Sequence, residues 1–140
     1  MSAIAQKFLV ASGLYLLLGL LAQVVLVFDG WLGFNPLAYT AVSATMQLLL
    51  LGWLTQLALA VLYDRWLEPA RPAEDGPAPT WPMVGLVLFN LGLPLVIGGQ
   101  PGLVMLGWHW LGAAAALGAI LQLLAGLIFV YDGWQRLSQK

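Results

Sequence analysis

Four long apolar runs, divided by short clusters of glycine, proline and charge, set the pattern of this chain. The first extends from Lys7 to Phe28 and gives way to Asp29-Gly-Trp-Leu-Gly-Phe-Asn-Pro36, where glycine and the Asn-Pro pair are expected to break a helix. The second is expected from about Leu37 to Tyr63. The third opens at Pro82, a residue suited to the first turn of a helix, and is expected to reach Ile97 with a kink at Pro94. Gly98-Gly99-Gln100-Pro101-Gly102 reads as a tight turn, after which the fourth run extends from about Leu103 to Tyr131. Crossing ~30 Å of hydrocarbon takes about 20 residues at ~1.5 Å each, and all four runs come close to that. The pattern therefore predicts an all-α integral membrane protein. Residues 1–140 form one domain, a four-helix transmembrane bundle of up-down topology with helices at about 7–28, 37–63, 82–97 and 103–131.

Composition points the same way. Of the 140 residues 61% are hydrophobic and 8% are charged, against about 25% charged in an ordinary soluble domain. A water-soluble domain of this size is mostly surface and has too little interior for so much apolar area, so the covering partner must be a lipid bilayer. The net charge of −1 provides no basic patch for nucleic acid. The absence of cysteine removes disulfides, thiolate metal ligands and thiol nucleophiles together. The first run is longer than the ~7–15-residue core of a signal peptide and is expected to persist as a mature helix.

Charge placement adds an orientation. Under the four-span division, Lys7, Arg65, Arg71, Arg136 and Lys140 all fall on one side and the other side has no Lys or Arg. The positive-inside rule then places both termini and the Pro-rich loop 64–81 in the cytoplasm of a multi-pass protein of the cell (inner) membrane. Trp31 and Phe34 outside, with Trp66, Trp81 and Trp134 inside, match the expected interfacial aromatic belts.

Ionisable residues at membrane depth are costly and mark functional sites. The candidate is His109, in Gly107-Trp108-His109-Trp110, about two turns into the fourth expected helix and roughly 10 Å below the outer face. Two readings stay open. One is a ligand to haem b iron or a proton-relay group, and the other is a neutral imidazole bonded to a neighbouring helix or reaching the interface. A protein-only metal site needs three or four ligands, which one histidine and no cysteine do not supply, so no metal site is expected. Haem needs only one or two axial ligands, and a twofold dimer would offer two copies of His109. Gln47, Gln56, Asn90 and Gln122 are expected to make interhelical hydrogen bonds. The small residues Gly112, Ala116 and Gly118 of the last helix are expected to permit close helix packing. No nucleophile lies beside a base and no glycine-rich loop cradles a phosphate, so no catalytic residues are expected and the chain is read as a non-enzyme.

The second run and its exit read Ala44-Thr-Met-Gln47-Leu-Leu-Leu-Leu-Gly52-Trp53-Leu-Thr-Gln-Leu-Ala-Leu-Ala-Val-Leu-Tyr63, followed by Pro69. This resembles the second transmembrane helix of the haem-copper oxidase catalytic subunit, particularly the nitric oxide reductase and cbb3-type branch. That helix carries a low-spin haem histidine, then Gly-Trp, then an apolar run to Tyr and Pro. Lys7-Phe8 with Gly13 and Gly19 is similar to the family's first helix. Counting back from Gly52-Trp53, the resemblance puts the haem-ligand position at Gln47, an amide that binds iron poorly, and the copper-binding helices of the family have no counterpart. The resemblance thus implies a family-like scaffold without oxygen or nitric oxide reduction. The leading expectation is a small non-catalytic accessory or assembly partner of a respiratory complex, self-associated or docked on larger membrane subunits. A haem-binding protein using His109 across a homodimer, and a small oligomeric transporter or channel, are the alternatives.

Overall fold

The computed structural model describes residues 2–33, 41–67 and 81–138. Nearly all of them are helical, and no strand occurs among them. Helix α1 spans Ala3–Leu32. Helix α2 starts as an α-helix at Ala41–Gln47, widens into a π-helix at Leu48–Thr55, tightens again at Gln56–Leu62 and ends π-helical at Tyr63–Leu67. Helix α3 spans Trp81–Leu106 and α4 spans His109–Ser138. Each of the four is long and apolar enough to cross a membrane.

Paired residues along the helices define the topology. Ser12 donates to the carbonyl of Trp53, and Phe8 stacks on Tyr63, so α1 and α2 run antiparallel. Gln47 meets Gln100 and Gln56 meets Asn90, so α2 and α3 run antiparallel as well. Gly92 lies against Gly118 and Gly85 against Phe129, so the last pair follows suit. The result is an up-down bundle in which α3 is the most enclosed helix and α1 and α4 are the least. Its core comprises Phe8, Tyr63 and Leu86 near one end and Tyr15, Leu48, Phe89 and Leu93 along the middle.

Helix α1 is longer at both ends than the pattern predicted. Ser2 caps it, its Oγ accepting from the Ala5 N–H at 3.1 Å, which satisfies one of the donors a helix start leaves open. At the other end the helix passes through Asp29 and Gly30 and stops at Gly33, whose φ of 67° and N–H to the Asp29 carbonyl make a left-handed cap. The expected start of helix two at Leu37, Phe34, Arg71, most of the Pro-rich loop and Lys140 lie outside the described residues.

The expected turn at Gly98–Gly102 is overturned: α3 continues through it to Leu106, and the chain reverses at Gly107, where φ is 68° and the N–H reaches the Leu103 carbonyl at 2.9 Å. The glycines that looked like a turn serve helix packing instead. A Cβ on Gly99 would lie 2.6 Å from the Leu111 carbonyl oxygen, and one on Gly102 would lie 2.8 Å from the Leu111 side chain. Pro94 and Pro101 both stay inside the helix. Each removes one N–H, which leaves the carbonyls of Asn90 and Ile97 without their ordinary helical donors. Because the turn has moved, the last helix begins at His109 rather than near Leu103, and it runs past Tyr131 to Ser138.

Candidate functional site

The polar interior falls into three levels along α2. Its spacing is set by the π-helical stretch. Nine residues separate Gln47 from Gln56, and in an α-helix that is about two and a half turns, which would put the two side chains on opposite faces. The wider turns of Leu48–Thr55 bring both onto the face that meets α3. Thr55 Oγ1 marks the altered winding by donating to the carbonyl of Leu50, five residues back, at 2.9 Å. Stretches of this kind recur at functional sites.

At the first level Gln47 Nε2 donates to Gln100 Oε1 at 3.4 Å, and Gln47 Oε1 is buried without a partner among the described residues. At the second, Gln56 is fully buried and exchanges hydrogen bonds with Asn90 at 3.2 and 3.4 Å, while Asn90 Nδ2 also reaches the Leu86 carbonyl at 2.8 Å. Carboxamides pair well in this way, since each carries both donors and acceptors. Replacing either Gln56 or Asn90 with leucine is expected to cost more than replacing both. A double-mutant cycle on unfolding in detergent should return a coupling of about 0.6 kcal/mol, with ~2 kcal/mol as the upper bound. Zero coupling would remove the pair from the fold's energetics.

The third level escaped the sequence reading. Asp132 is only 5% exposed, and its Oδ2 accepts from the Tyr63 hydroxyl at 3.0 Å and from Arg136 Nε at 2.7 Å. The Arg136 guanidinium also lies 5.6 Å from the centre of the Tyr63 ring, within cation–π range. Tyr63 also has aromatic neighbours: Phe8 stacks on it at 5.6 Å and meets Phe129 edge-on. Close by, the Ser2 backbone N–H donates to Asp64 at 3.0 Å. These contacts tie the start of α1 to the ends of α2 and α4. The signal for it lay in Asp132 and Arg136, four apart on one helical face, with a tyrosine ending the second apolar run.

The remaining candidates are scattered. His109 is exposed in the first turn of α4, not two turns deep, beside Trp108 and Trp110, whose rings lie 5.9 Å apart. It bonds to nothing among the described residues. Gln122 packs its Cγ toward Gly92, and its Nε2 is buried without a partner among the described residues. Gly118 and Gly112 face α3, against the Gly92 carbonyl and Leu103, whereas Ala116 faces outward. No cluster of three or more His, Asp or Glu suited to a metal occurs among the described residues.

Lys7, Arg65 and Arg136, the cations among the described residues, share the end of the bundle that holds Tyr63. Exposed Trp81 and Trp134 lie at this end, and exposed Trp31, Trp108 and Trp110 lie at the other. No protein-family model, curated protein or solved structure matches the chain.

Proposed function

We propose that this chain is a non-catalytic multi-pass protein of the cell (inner) membrane, with both ends cytoplasmic, that acts by binding sideways to other membrane subunits. The partner suggested by the resemblance of its second helix is a respiratory terminal oxidase or nitric oxide reductase, which it would accompany or help assemble. The observation that carries this reading is the internal pairing of Gln56 and Asp132 beside uncovered apolar helix faces. Gln56 is spent on Asn90, and Asp132 is spent on Tyr63 and Arg136, while the broad apolar faces of α1 and α4 stay uncovered. The gathering of the described cations at one end supports the orientation.

Gentle detergent extraction followed by mass spectrometry of co-purifying chains tests the proposal. Recovery of oxidase or reductase subunits in fixed ratio is the expected result, and a pure preparation of this chain alone would overturn it. The free imidazole of His109 supports one further reading, haem held between two copies. An absorption spectrum after haem addition should then show a Soret band that His109→Ala abolishes, and no band in the intact protein would end that reading.

A further inference from the structure

Helix α1 carries a polar side chain that the bundle does not use. Gln23 is exposed, has no hydrogen-bond partner among the described residues, and lies within the apolar run from Phe8 to Phe28. Five residues separate it from Phe28, which puts it about 8 Å inside that end of the run. Side chains on a helix lean toward its N-terminus, so the carboxamide leans deeper into the run and away from the nearer end. An amide left unbonded in hydrocarbon is unfavourable, and it draws in any helix that can supply a donor and an acceptor.

The residues around it form a seam. Gly13, Leu16, Leu20, Gln23, Val27 and Gly30 follow alternating steps of three and four, the spacing of helices that cross at a shallow angle. All are exposed except half-buried Leu16, and a Cβ at Gly13 or Gly30 would meet nothing within 4 Å. The seam covers about 25 Å of helix, most of a hydrocarbon core. It lies on the flank of α1, beside the Phe8, Ser12, Tyr15 and Gly19 face that packs in the bundle.

We infer that this seam is a self-association surface occupied by α1 of a second copy of the chain. Two copies inserted with the same orientation hold Gln23 at the same depth. A twofold axis along the membrane normal then sets carboxamide against carboxamide, each donating and accepting once. No other partner has its matching group placed at the right level by symmetry alone. The inference rests on the bilayer reading above but not on any respiratory partner.

The chain has no cysteine, which makes the test clean. Single variants Leu20→Cys and Val27→Cys on the seam, and Leu14→Cys and Leu21→Cys on the far side of α1, are oxidised in native membranes. Disulfide-linked dimers are expected from the first two and not from the second two. In the Leu20→Cys background, Gln23→Leu should weaken dimerisation about threefold or more, and Gln23→Asn should largely preserve it. Equal cross-linking on both sides, none on the seam, or indifference to Gln23→Leu would overturn the inference. A chain stripped from membranes by carbonate would overturn the bilayer reading itself. Dimers without respiratory subunits would uphold the seam while removing the proposed partner.

Discussion

Asp132→Ala is expected to lower the unfolding free energy of the detergent-solubilised protein by about 3 kcal/mol, the lower end of the range for breaking a buried ion pair. The carboxylate is almost wholly enclosed and accepts two hydrogen bonds, one of them charge-assisted at 2.7 Å. Its removal takes the acceptor from a fully buried tyrosine and one counter-charge from a guanidinium only 12% exposed. Proximity of Arg136 to the end of the last helix gives it some access to water, which keeps the loss below the top of the range. Tyr63→Phe preserves the ion pair and the Phe8 stack, and should cost about 1 kcal/mol. Thermal or denaturant unfolding followed by circular dichroism separates the two. An Asp132→Ala protein within ~0.5 kcal/mol of the parent, the usual range for a neutral surface change, would show that the cluster does not hold the three helix ends together.

The second large effect is expected at Gly92 and Gly118. A Cβ on Gly92 would lie 2.6 Å from the Gly118 carbonyl oxygen, and one on Gly118 would lie 2.5 Å from the Gly92 carbonyl oxygen. Both obstacles are backbone, so neither can swing aside as a side chain would, and α3 and α4 must separate along their most intimate contact. Gly118→Ala should therefore cost about 2 kcal/mol, and Gly118→Leu more. Gly126→Ala on the same helix is the control. Nothing lies within 4 Å of its added methyl, and the better helix propensity of alanine should leave stability unchanged or raised by up to ~1 kcal/mol. Equal losses at Gly118 and Gly126 would attribute the effect to helix propensity rather than contact.

The four long helices were readable because apolar runs of that length admit few alternatives, and the cations marked which helix ends lie together. The reversal between the last two helices was not. Glycine and proline signal turns in water, where a freed backbone group finds a solvent partner. Inside a long apolar helix the same residues are tolerated, and there Gly99 and Gly102 bring α4 close to α3. His109 was placed too deep for that reason alone. Gln56 and Asn90 stood out as amides in otherwise apolar segments. Gln100 lies in the Gly98–Gly102 stretch that reads as a turn, which hides half of the Gln47–Gln100 contact. Tyr63 and Asp132 stand at the ends of their apolar runs, where the order of residues along the chain does not show what packs on them. Only the packing of Phe8 and Phe129 around them makes that end an interior.

The unusual winding in the middle of α2 fixes more than a local shape. Between Leu48 and Thr55 the chain acts as an indexing device, dialling everything beyond it to a set angle about the helix axis. Wound as an ordinary α-helix at ~100° per residue, the same stretch would set Gln56 about half a turn from Gln47, which turns one set or the other out of the bundle. Segment length is thus dictated by bearing as well as by reach.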